Sequence, residues 1–358
     1  DRFELTGPLP PGLIPTTLQA SLMGRIDRLG QNRSVAQLAA TIGREFSFEL
    51  LQSLLRIPTA ELAKALQQLV DLELVSESGV QPTSTYVFKH ALIQDAAYES
   101  LLRKTRQKFH NEIADALQVR FPEMAESKPE LLARHYEGAG RIDQATAGWI
   151  RAGVQAGQRM ALRESVAHLR KAISLLETLP EDDPNRLQME MGAQLTLFPA
   201  LMSTLGWGSR EVETACIRAR ELCERLGNFQ GLLGARWGLW TVYLLRGTIG
   251  PTMEAARPVL DMALATNDPM LHVIAHQANG YSHYFFADFE AARVGRDDLV
   301  AALCDADVKR AVPVEGLVHQ ALHLVGIARR DDSHVRDRAH DGEVFVRQVR
   351  RAERCVNR

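Results

Sequence analysis

His272, His276 and His283 are the residues whose type and spacing come nearest to chemistry. Offsets of four and seven put all three on one helix face, and imidazoles on successive turns can converge on a metal ion. The same helix carries Tyr281, Tyr284 and Phe285, the composition of a face that lines a groove between repeats, so no metal is assigned. A fourth histidine, His90, stands where a short strand, Tyr86-Val87-Phe88, turns into a helix with Gln94 and Asp95 in its first turn. A donor ahead of a helix start joins backbone N–H groups that lack partners, which is a natural anion site. The other reading is a capping or packing histidine, with Lys89 and Asp95 as surface charges; the residues alone leave both open.

Catalysis needs a nucleophile, a base and an orienting partner brought together. The sequence contains no Gly-Lys-Ser/Thr, no Gly-x-Ser-x-Gly, no His-Glu-x-x-His and no Cys-x-x-Cys, and we expect no enzyme activity from this chain. Four cysteines in 358 residues are no disulfide framework. Cys216 and Cys223 are seven apart on one helix, about 10 Å along its axis and too far to bridge. They read as free thiols of a reducing cytoplasm. Trp237, Trp240 and Tyr243, with Tyr281 and Tyr284 one repeat on, recur at helical spacing. They are either interhelical core or aromatic anchors of a partner-binding groove.

The elements that must position these residues follow from pattern. Residues 1–15 hold Gly7, Pro8, Pro10, Pro11, Gly12 and Pro15, a linker composition. Helices are expected over Leu18–Leu29, Ser34–Ile42, Ser47–Leu55 and Ala60–Leu72, the last capped by Thr59. Leu74–Glu77, a turn through Ser78, Gly79 and Pro82, and Tyr86–Phe88 then make a β-wing. Helices followed by a wing are the order of a winged helix domain, here residues 16–103.

Helices alone continue over 104–306, in short-looped pairs, with Pro199 expected to kink or split one of them. Gly140…Ala145 recurs as Gly247…Ala255 and as Ala287…Ala291, and Ala235 to Ala275 is an offset of 40 residues. Small residues at fixed places let paired helices approach and stack, so the fold class is mainly all-α, a winged helix followed by a tetratricopeptide-like α-solenoid. Residues 307–358 contain few leucines and many Arg, Asp and His, and read as an irregular tail, either disordered or out of frame.

Composition bounds the partners. With 42 basic and 44 acidic residues the formal net charge is −2, so no global field draws the chain to nucleic acid or anionic lipid. Arg56–Glu77, where a DNA-reading helix would lie, sets Arg56 and Lys64 against Glu61, Asp71, Glu73 and Glu77. DNA affinity rests on phosphate neutralisation, so a DNA-binding regulator is only the alternative reading. No apolar run nears the roughly 20 residues of a membrane span. The opening DRFELTGPLPPG lacks both a secretion-signal pattern and an initiator Met, and the chain is expected to be cytoplasmic and part of a longer protein.

Four stretches carry a resemblance: LIPTTLQASLMGRIDRLG, AATIGREFSFELL, FKHALIQDAAYESLLRKTRQKFHNEIADAL and ELLARHYEGAG. They resemble the region after the ATPase core in bacterial signal-transduction ATPases, the adenylate/guanylate cyclase-like predicted ATPases with a winged helix and tetratricopeptide repeats. The resemblance covers roughly residues 10–304. It implies an upstream module that binds ADP or ATP and against which the winged helix packs, with repeats that sense a protein or small-molecule ligand. It also implies a winged-helix histidine that meets the β-phosphate of bound ADP. His90-Ala91-Leu92 falls at that motif, with Ala91 where the family has Asp.

Overall fold

The computed structural model describes residues 23–298, apart from 81, 82, 267, 289, 293, 296 and 297. The linker expected at 1–15 and the tail expected at 307–358 lie outside the described residues, as does most of the first expected helix, of which 23–27 is helical. The described residues form two compact units, one running to Ala152 with Ser174–Leu176 added, the other Gly153–Ile173 with Glu177 onward.

In the first unit a 3-10 turn, Gly30–Asn32, leads into α1 (Arg33–Ile42), β1 (Glu45–Ser47), α2 (Phe48–Leu55) and α3 (Thr59–Asp71). Then come β2 (Val75–Ser78), β3 (Thr85–Phe88), α4 (Ala91–Glu99), α5 (Arg103–Arg120), α6 (Pro122–Ser127) and α7 (Pro129–Ala139). α3 begins one residue before the expected start, with Pro58 rather than Thr59 at its N-cap. Its Leu62, Leu66 and Leu69 are buried, as their spacing requires.

A third strand joins the two expected ones. β1 and β2 both pair antiparallel with β3, giving the order β1-β3-β2, with Phe46 opposite Tyr86 and Val75 opposite Phe88. Alternation then places Phe46, Tyr86 and Phe88 on one face, where Phe46 lies 5.6 Å from each of the other two rings. α5 and α7 share this core, contributing Ile113, Ala114, Leu117, Leu132 and Tyr136.

Arginines close helix ends in this unit. Arg25 donates to the Leu72 carbonyl at 2.5 Å, and Arg120 donates to Ser53 at 3.1 Å. Arg134 donates to the Ile42 carbonyl at 2.5 Å, at the end of α1. These satisfy carbonyls that a helix leaves without intrahelical donors. At Gly43, just past α1, a Cβ would stand 2.9 Å from Arg134 Nη2.

The chain continues through α8 (Ile142–Gln158) and α9 (Leu162–Leu176). The rest of the second unit is a run of antiparallel hairpins: α10 (Pro184–Leu205), α11 (Arg210–Leu226), α12 (Phe229–Leu245), α13 (Ile249–Leu264) and α14 (Pro269–Phe285). Each packs on its sequence neighbour, and α12 also touches α10 and α14, so the run is an α-solenoid. Pro199 lies inside α10, which runs on past it rather than splitting. α12 is apolar nearly all round and its middle, from Leu233 to Val242, is largely buried between neighbouring helices.

The expected repeat has an exact backbone counterpart. Gly247 N donates to Leu244 O and Thr248 N to Tyr243 O; forty residues on, Ala287 N donates to Tyr284 O and Asp288 N to His283 O. Gly140 and Arg141 make the same pair of bonds, to Glu137 and Tyr136. All three turns close through a left-handed residue, with φ 77° at Gly140, 69° at Gly247 and 63° at Ala287. Ala235 and Ala275, the other 40-residue pair, are both fully buried.

Candidate functional site

The histidine junction is built by the sheet. Phe88 N donates to Arg44 O at 2.9 Å and Lys89 N to Leu74 O at 3.1 Å, so β3 ends between its two neighbours and releases the chain at His90. His90 is the N-cap of α4 in extended backbone, φ −133° and ψ 138°, and its side chain makes no capping hydrogen bond. The imidazole is exposed, beside the helix-start N–H groups that no helical carbonyl can reach. No acidic residue occupies the first turn of α4 to compete for that positive end. Gln94 donates to Ala40 O at 3.2 Å and holds the start of α4 against the end of α1. Lys89 pairs with Glu73 at 3.7 Å across exposed surface, a weak restraint, and Asp95 is exposed.

The repeat aromatics separate into core and rim. Trp240 takes the core role: it is 5% exposed, and its indole N–H donates to Ser282 Oγ at 2.8 Å. Trp237 and Tyr281 are half-buried and pack on the cluster of Trp240, Ala256 and Ala278. Tyr243 is half-buried on Glu213; burial first, then the hydrogen bond to Glu213, raises its hydroxyl pKa. Arg246 pairs with the same Glu213 at 2.5 Å. Tyr284 meets Phe285 edge-on at 5.9 Å, and Tyr281 stacks on Phe285 at 6.2 Å.

Two exposed aromatics extend this array beyond the residues singled out as a groove. Trp207, 44% exposed, stands 6.0 Å from Trp237, and Phe285 is 55% exposed. The available signal was Gly206-Trp207-Gly208, a tryptophan set between glycines in a loop where no helix face can bury it.

The three histidines of α14 do not converge. His272 Nε2 lies 2.9 Å from Thr266 O, His276 Nδ1 is 3.8 Å from Asp298, and His283 Nδ1 is 3.1 Å from Asp288. Among the described residues no group of three or more His, Cys, Asp or Glu is placed to hold a metal. Among them, too, no helix is long and apolar enough to cross a membrane.

Comparison with known proteins adds little beyond the chain. No family model matches it. An uncharacterized protein of Rhizobium meliloti (strain 1021) is 29% identical over 303 residues, 83% of this chain and 28% of that protein. The chain therefore spans less than a third of the curated relative it matches. Among solved structures, a signal transduction ATPase with numerous domains carrying a tetratricopeptide repeat sensor, from Pyrococcus horikoshii, aligns over 90% of this chain and 60% of its own. At 11% identity and a TM-score of 0.31 that likeness carries no argument about this chain's site.

Proposed function

We propose that this chain is the regulatory, protein-interaction region of a signal-transduction ATPase and performs no catalysis itself. Its first unit acts as a winged helix against an upstream nucleotide-binding module, and its hairpins bind a partner or ligand that is the input. One observation carries the reading. The turns at Gly247 and Ala287, forty residues apart, close α12 and α14 with the same pair of backbone hydrogen bonds, and that recurrence supports a repeat scaffold. The three helices and the β1-β3-β2 sheet support the winged-helix part.

On this reading His90 reports the nucleotide. Its exposed imidazole and the open N-terminus of α4 suit a phosphate oxygen. The half-exposed aromatics Trp207, Trp237, Tyr243, Tyr281 and Tyr284 supply anchors for the partner, while Trp240 holds the helices together. The test is ADP release from the longer protein with and without His90→Ala. Faster release and higher basal activity are expected; unchanged ADP release removes His90 from the role. A nucleotide-turnover assay on this chain alone should be blank, and turnover would overturn the non-catalytic reading.

A further inference from the structure

The first unit contains a chain of polar side chains that the proposed function does not use. Tyr98 Oη, near the end of α4, lies 3.0 Å from His110 Nε2 on α5, and His110 Nδ1 lies 3.0 Å from His135 Nδ1 on α7. His135 is fully buried and His110 is 5% exposed. The contact is fitted to the rings: a Cβ on Gly138 would stand 2.5 Å from His110 Cδ2, so only glycine leaves room for that imidazole. Three helices thus meet through two imidazoles and a phenol.

A hydrogen bond between two Nδ1 atoms holds one proton. With both rings neutral, one Nδ1 donates and the other accepts; once both Nδ1 atoms carry protons, the bond is replaced by facing N–H groups. On balance the surroundings oppose an added charge. Arg134 on α7 and Arg106 on α5 repel it; Glu137 on α7 is the acidic group facing His110. Tyr98 on α4 is already against His110, and Arg106 lies over the Tyr98 ring at 5.2 Å. From α1 comes the Ile42 carbonyl, which favours the charged form of His135 but already accepts from Arg134 at 2.5 Å. His135 Nε2 is buried without a full hydrogen bond.

We propose that Tyr98, His110 and His135 form a proton-operated latch, which holds α7 closed on α4 and α5 while the buried pair is uncharged and is broken once both Nδ1 atoms carry protons. Its consequence reaches the junction described above, because α4 begins at His90 and ends near Tyr98, and Arg134 ties α7 to α1. Acidification opens the latch and loosens the helix that carries His90. The latch itself does not depend on the nucleotide reading.

The sign follows from burial. Burial, then the Arg134 and Arg106 charges, lowers His110 to about 4; burial, then Arg134, holds His135 well below the ordinary value of 6.5. The opened form takes protons first, so opening increases as pH falls below 6.5 and levels off below the closed-form values. Each imidazole contributes about tenfold over the two pH units from 7.5 to 5.5, most of it below 6.5, so the opening constant of α7 rises roughly 100-fold across that interval.

Amide hydrogen exchange of the whole chain, corrected for intrinsic rates, reads this constant over α7 at pH 7.5, 6.5 and 5.5. The expected result is the rise over α7 with little change over α11 and α12. A pH-independent constant over α7 overturns the proposal, as does an equal rise over α11. His110→Gln with His135→Gln should abolish the slope, and retention of it also overturns the proposal. Should that variant not fold, ring-carbon NMR of the wild-type chain decides. Rings still neutral at pH 6 support the latch, and rings that titrate near 6.5 in the closed form overturn it.

Discussion

Cys216 Sγ on α11 occupies the space beside Gly238 on α12, where a Cβ would stand 2.7 Å from the sulfur. One heptad away the relationship repeats, with Cys223 Sγ 2.8 Å from the Cβ position of Gly231. Two helices running in opposite directions therefore interlock sulfur against glycine at two levels. Gly238→Ala should destabilise the chain by about 1–3 kcal/mol, since the backbone of α12 must shift to admit the methyl group. Adding Cys216→Ala should restore much of the loss, and urea melts of the four forms in a double-mutant cycle measure the coupling.

The same burial makes the thiols unreactive. Burial, then the Glu213 charge, pushes Cys216 up to about 12, and Cys223 is also raised. In the native protein both should react with a disulfide reagent at pH 8 far more slowly than after denaturation. Because the folded pKa of Cys216 is raised from its ordinary value of 9.0, its contribution to stability is complete below pH 9 and fades as pH rises toward 12. Melts at pH 8 and 10.5, with Cys216→Ala as control, check the sign.

Ala287 occupies a conformation that its two counterparts give to glycine. With φ 63° it carries a left-handed cost that Gly140 and Gly247 do not. Ala287→Gly should stabilise the last hairpin by roughly 0.5–1 kcal/mol, the relief of strain exceeding the entropy glycine adds to the unfolded chain. Gly247→Ala should destabilise by a similar amount, since nothing within 4 Å of its Cβ position obstructs it and only φ is at stake. Opposite signs for one pair of residues in thermal melts are the expected outcome.

Among the described residues of the second unit, Glu190 is a buried charge. At 6% exposure it accepts from Arg218 Nε at 2.6 Å and from Nη2 at 2.9 Å, a bidentate pair between α10 and α11. That hydrogen bonding is the main cause of the raised pKa of Arg218. Glu190→Ala should cost about 3 kcal/mol, since Arg218 and the neighbouring Arg186 lose their shared carboxylate. The loss should persist in high salt, unlike that of the exposed pair Arg225–Asp182, and melts at two ionic strengths separate the two.

Much of this architecture was legible because it rests on periodicity. Leu62, Leu66 and Leu69 announce α3, and the 40-residue offset from Gly247 to Ala287 marks two turns that share their hydrogen bonds. β1 was not legible: Glu45-Phe46-Ser47 holds one buried aromatic, too short a run for alternation to show. α6 was missed for the same reason, six residues being less than two turns. Pro199 was expected to kink or split its helix, and α10 runs on past it as one helix. For the sites, His90 could be placed at its junction from sequence. The meeting of His110 with His135 could not, because contacts between residues 25 apart depend on how helices cross.

The neighbour-to-neighbour packing of α10 through α14 also governs how this region deforms. A globule closed by contacts between distant segments resists bending until it breaks. A stack without such closure shares a bend among its interfaces, each turning a little, and returns when released. The hairpins therefore form a spring whose stiffness is set by interlocks such as Cys216 against Gly238. On the proposed function, a partner held along the stack would act by changing that curvature.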